Sequence, residues 1–132
     1  MTSKPPSPDA PRLDALAPGA VLDGYVVERT LASSRMGHVY LARDNATGQR
    51  VAVKEFLPVA LAERGANARQ VQPRAAVRDA AREAAFERGR AAFLEEAQLL
   101  RRCRHASLLS VLRAWSENGT VYRAMPLHTG QP

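Results

Sequence analysis

Apolar and polar residues alternate in short runs through the first half of the chain, and a helical repeat follows in the second. Tyr25 to Leu31 and His38 to Arg43 both read as β-strands. Ala32-Ser33-Ser34-Arg35-Met36-Gly37 lies between them as a hairpin connection. Asp44 to Gln49 (DNATGQ) is a dense cluster of turn formers, after which Arg50-Val51-Ala52-Val53-Lys54-Glu55-Phe56 alternates as a half-buried strand that Pro58 closes. Residues 59–92 are rich in Ala, Arg and Glu, with Gly65, Pro73 and Gly89 as breaks, which predicts short helices joined by loops.

From Phe93 to Cys103 the period is helical. At about 100° per residue, Phe93, Ala97, Leu99, Leu100 and Cys103 share one broad arc, and Glu95, Gln98 and Arg102 point away from it. Leu108 to Leu112 and Thr120 to Met125 predict a further strand pair, turned at Glu117-Asn118-Gly119. Three strands, one principal helix and two strands make an α+β domain built on a five-stranded antiparallel sheet, with an extra helical insertion (57–90) ahead of the helix.

Composition then sets the boundaries. Residues 1–20 hold five prolines and little that could be buried, which predicts a flexible leader before a single domain over 21–132. A hydrophobic share of 45% and a charged share of 24% lie near globular averages and exclude wholesale disorder. No apolar run approaches the roughly 18 residues of a membrane span, and the N-terminal stretch lacks the apolar segment of a signal peptide, so a cytoplasmic location is expected. Cys103 stands alone and supports neither a disulfide framework nor a metal cluster; a buried thiol is the expectation.

The net charge of +6 raises nucleic acid as a partner. Its distribution argues against it: the arginines are scattered, and only Arg101, Arg102 and Arg104 cluster, without interleaved aromatics on which bases could stack.

Candidate chemistry begins with Glu96, which falls near the centre of the apolar arc, three residues after Phe93 and four before Leu100. Burying an unpaired carboxylate costs several kcal/mol, so the sequence calls for a nearby cation. Lys54, at the end of the third strand, is the candidate; the chain has 17 arginines and two lysines, the other being Lys4 in the leader. A compact ammonium on a flexible stem suits a group touching both a carboxylate and phosphate oxygens. The same features also fit an ordinary surface lysine.

Leu31 to Tyr40 (LASSRMGHVY), Val51 to Lys54 (VAVK), Phe93 to Ala97 (FLEEA) and Tyr122 to Met125 (YRAM) occur in the order of the Gly-rich loop, the lysine strand, the C-helix and the hinge-entering strand of the protein kinase fold. The chain from about residue 22 onward resembles the small lobe of a bacterial serine/threonine protein kinase, up to the hinge (126–132). The resemblance implies ATP, as Mg-ATP, for a cofactor. Lys54 would hold the α- and β-phosphates and pair with Glu96. Leu31, Gly37, Val39 and Ala52 would cover the nucleotide, Met125 would be the gatekeeper, and the Pro126 carbonyl and His128 amide would face the adenine edge.

Two departures stand out. Of the G-x-G-x-x-G pattern only Gly37 is kept; Ala32 and Ser34 replace the others, and their Cβ atoms restrict backbone approach to phosphate. Lys54 and Glu96 are also 42 positions apart, a long connection for this family that accompanies the Lys-Glu-Phe-Leu-Pro run at 54–58. Nothing resembles H-R-D-x-x-x-x-N or D-F-G, and His105 is followed by Ala106-Ser107, so no catalytic residue and no magnesium ligand is named in this chain. The implied partner is a kinase large lobe or another protein, with the chain inactive by itself. The alternative is a pseudokinase-like interaction module without nucleotide binding.

Overall fold

A computed structural model describes residues 12–75, 79–102 and 110–127. Its core is a six-stranded antiparallel sheet of β1 (Val21–Leu22), β2 (Tyr25–Ser34), β3 (Gly37–Asp44), β4 (Arg50–Phe56), β7 (Arg113–Glu117) and β8 (Thr120–Pro126), in the spatial order β1-β2-β3-β4-β8-β7. A small hairpin of β5 (Ala62–Arg64) and β6 (Val71–Pro73) stands apart, and α1 (Ala80–Arg102) packs on the sheet.

Five strands were expected and six are found. The addition is β1, folded back by Asp23 and Gly24, both at positive φ, so that Leu22 pairs with Tyr25. Two residues are too short to show a period. The strand expected at Leu108 to Leu112 is instead β7; Leu108 and Leu109 lie outside the described residues. What fixes β7 is Trp115, which stacks on Tyr25 and Tyr122 with ring centroids 5.6 Å away in each case. The turn falls where the sequence put it, with Asn118 and Gly119 at φ 56° and 75°.

The first half of the insertion holds a β-hairpin where helices were expected. Its Ala-, Arg- and Glu-rich second half is the start of α1, which begins at Ala80 rather than Phe93, and Asp79 caps it by accepting from Arg82 N–H at 2.7 Å. Gly89 is no break. It sits inside the helix where an added Cβ would lie 2.7 Å from the Phe56 ring, so it lets the helix close onto the sheet.

Alternation divides β4 between two cores. Val51 and Val53 face Tyr40, Ala42, Tyr122 and Ala124, while Phe56 faces Phe86 and Phe93 of α1. Residues 12–20 are not a loose leader: Leu16 and Ala20 are buried in the first core, and Leu16 N–H donates to the Tyr40 hydroxyl at 3.0 Å. Residues 1–11 lie outside the described residues.

Candidate functional site

Lys54 sits near the end of β4, between Val39 of β3 and Arg123 of β8 in register, and Ala52 pairs with Leu41 and Met125. Because strand side chains alternate, Val39, Ala52, Lys54, Arg123 and Met125 share the sheet face that carries α1. Leu31 lies on β2 beside a register irregularity and is 37% exposed. Pro126 ends β8 opposite Val51. His128, Cys103, Arg104 and His105 lie outside the described residues.

The structure changes the reading of Glu96. Its side chain is 65% exposed, not buried, and its partner is Arg123, with Nη1 to Oε1 at 3.6 Å. The helical arc is broad, and Glu96 falls at its edge beyond Phe93 and Ala97, the residues that α1 buries there. Among the described residues Lys54 forms no ion pair. Burial, then the Arg123 guanidinium alongside, push the Lys54 pKa below the ordinary lysine range, and Glu96 pulls the other way.

Arg123 was not singled out by sequence, although one arginine inside Thr120 to Met125, an otherwise largely apolar strand, is a signal. It is 9% exposed, its guanidinium carbon lies 5.0 Å from the Phe93 ring centroid, and its Nε and Nη1 have no hydrogen-bond partner. With Lys54, Glu96 and Phe93 it lines a cavity of about 470 Å³ between α1, β4 and the segment 58–61, with Arg35 also among its lining residues.

Gly37 has a packing role. An added Cβ would lie 1.9 Å from the Glu55 carbonyl oxygen, and φ is 146°, so β3 reaches β4 at that point only without a side chain. The tip of the β2–β3 hairpin is tied down: Leu57 N–H donates to Met36 O at 2.9 Å and Val59 N–H to Arg35 O at 2.8 Å. Arg12 adds bonds to Ser34 O and Leu57 O, both at 2.8 Å.

On the opposite sheet face lies a polar network that sequence reading missed. Glu55 is fully buried and accepts from Tyr40 at 2.6 Å, Tyr122 at 2.7 Å and both terminal nitrogens of Arg64 at 2.9 and 2.8 Å. Burial, then the Glu55 charge, push both tyrosine pKa values well above the ordinary range. Beside it His38 Nε2 donates to Asp14 Oδ1 at 2.9 Å, and the Ser33 hydroxyl lies 2.7 Å from Nδ1. Alternation was the available signal, since it places Glu55 on the face of Val51 and Val53.

No protein-family model and no curated protein matches the chain. Solved structures do. The structure described as PpkA-294 in its apo form is 31% identical, with a TM-score of 0.80 over 89% of this chain and 40% of that one. The kinase domain of PknI from Mycobacterium tuberculosis is 27% identical, with a TM-score of 0.58 over 86% of this chain. The chain spans 36% of that domain's structure. An antiparallel sheet with one helix, the motif order and these matches agree: the chain has the fold of a protein kinase small lobe and is similar to that part of bacterial serine/threonine kinase domains.

Proposed function

We propose that this chain is the ATP-binding small lobe of a serine/threonine protein kinase, which positions the phosphates of ATP for transfer to protein Ser or Thr by groups supplied from a large lobe. The observation that carries this reading is Lys54, half-buried on the helix-facing side of the sheet, with no ion pair among the described residues and next to Val39, Ala52 and Met125. A cation placed so, without a carboxylate on it, is suited to phosphate oxygens, and the apolar side chains beside it suit an adenine ring. Leu31 would cover the ring, Gly37 would close the loop, and Pro126 and His128 would meet the adenine edge through their backbone. Bound ATP would supply the phosphoryl group; magnesium ligands are assigned to the large lobe. A cytoplasmic setting fits, as no helix of the described residues is long and apolar enough to cross a membrane.

The test is thermal unfolding of the chain with and without Mg-ATP, compared with Lys54→Met. Ligand binding to the folded state alone raises apparent stability, so stabilisation of the wild type that disappears in Lys54→Met is expected. Equal melting of the wild type with and without millimolar Mg-ATP overturns the reading. It would favour the pseudokinase-like interaction module, for which the specific observation is the hairpin tip, without glycine at Ala32 and Ser34 and bonded to Leu57 and Val59.

A further inference from the structure

The floor of the cavity between α1 and the sheet holds more positive charge than the nucleotide reading needs. Lys54 and Arg123 are direct cross-strand partners on one face, where like charges repel. One carboxylate, Glu96, stands near both, and Arg35 adds a cation to the lining. Lys54, Arg123 and Arg35 against Glu96 leave the cavity with a surplus of two positive charges.

The contact with Glu96 does not satisfy Arg123. At 3.6 Å it lies beyond hydrogen-bond reach, and Nε and Nη1 are buried without a partner, with the guanidinium near the Phe93 ring. Buried N–H groups of a charged side chain are costly to leave unmade. Glu96 itself is 65% exposed, and ion pairs of that kind contribute little, so another anion displaces it readily.

We propose that Lys54 and Arg123 together form a two-cation site for a phosphoryl oxyanion, which takes the place of Glu96 at the Arg123 guanidinium. A guanidinium fork and an ammonium side by side match a group that presents several charged oxygens at once; a single carboxylate, already present as Glu96, leaves the surplus in place. The anion comes either from a nucleotide, in which case the inference rests on the ATP reading above, or from a free polyphosphate. Either way Arg123 is a binding residue that the kinase resemblance does not assign.

The experiment is isothermal titration of the purified chain with tripolyphosphate, with Mg-ATP and with adenosine, on the wild type, Arg123→Met, Arg123→Lys and Glu96→Gln. Removing a charge-assisted hydrogen bond to the oxyanion should weaken tripolyphosphate binding about tenfold or more in Arg123→Met. Arg123→Lys, which keeps the charge and loses the fork, should fall between and serves if Arg123→Met does not fold. Glu96→Gln should bind more tightly than the wild type, since the competing carboxylate is gone.

Tripolyphosphate binding that is absent, or unchanged in both Arg123 variants, overturns the proposal, as does Glu96→Gln binding more weakly. Mg-ATP and tripolyphosphate that both bind equally in wild type and Arg123→Met leave the nucleotide reading standing and remove this one. Tripolyphosphate binding that weakens in Arg123→Met while Mg-ATP binding does not supports the oxyanion site and removes the nucleotide as its source.

Discussion

Arg64→Met should be among the most damaging substitutions in the chain, although Arg64 lies in the insertion and outside every kinase motif. Its side chain is 9% exposed and that of Glu55 is wholly buried. The guanidinium donates to both Glu55 oxygens, at 2.8 and 2.9 Å, so its loss leaves a dry carboxylate that accepts only from two tyrosine hydroxyls. Removing one partner of a buried pair costs about 3–5 kcal/mol. Arg64 also donates to the Asp14 carbonyl at 2.6 and 3.0 Å, and each such bond adds about 1 kcal/mol. Against a total stability of about 5–15 kcal/mol for a domain, that is enough to bring the variant close to unfolding. The assay is urea unfolding followed by Trp115, whose ring stacks on Tyr122 in the same core. If charge is the cause, Glu55→Gln in the Arg64→Met background should recover about 1–3 kcal/mol, because no uncompensated charge is then buried. A loss below about 1 kcal/mol in Arg64→Met, or a double variant no more stable than the single, would refute the reasoning.

Two further outcomes follow from the same geometry. Gly37→Ala should destabilise the fold by about 2–4 kcal/mol, since its Cβ would collide with the Glu55 carbonyl at positive φ; thermal unfolding without nucleotide checks this, and wild-type melting would return Gly37 to a purely phosphate-related role. Acid should weaken the anchoring of residues 12–20. Burial raises the Asp14 pKa, but the hydrogen bonds from His38 and Arg12 outweigh it and hold the carboxyl well below the usual range. A folded pKa lowered in this way gives stability that is present above the unfolded value of about 3.9 and lost as pH falls below it. Urea midpoints measured from about pH 5 to pH 2 should therefore drop steeply in the wild type and less in Asp14→Asn, and equal slopes would contradict the assignment.

How far the sequence reveals this fold depends on whether a residue's neighbours in the chain are also its neighbours in space. β4 is legible to the residue because its alternation, Val51 and Val53 on one face against Ala52, Lys54 and Phe56 on the other, is local. The turns at 44–49 and 117–119 are legible for the same reason. Gly89 misleads, since its small size answers to Phe56, 33 positions away in the chain. The hairpin of β5 and β6 is hidden because its three-residue strands are too short to repeat a two-residue alternation, and its anchor is Arg64 reaching Glu55 across the fold. Glu96 misleads in the other direction: helical spacing places it near Phe93 and Ala97, but only tertiary packing decides that Arg123 receives it.

The two polar centres are linked through one strand. Lys54 and Glu55 are consecutive, so the pleat sends them to opposite faces of the sheet. Glu55, held by four hydrogen bonds in the interior, fixes the β4 backbone from one side and so fixes where Lys54 emerges on the other. The insertion then reaches around the strand end. Leu57 and Val59 hold the hairpin tip through Met36 and Arg35, and Pro58 to Leu61 wall the cavity into which Lys54 and Arg123 project their charge. The long connection between Lys54 and Glu96 is therefore structural material for the site. It supplies the wall of the cavity, the counter-cation for Glu55 and the tether of the loop, while leaving Glu96 at the surface, where an incoming anion can compete with it for Arg123.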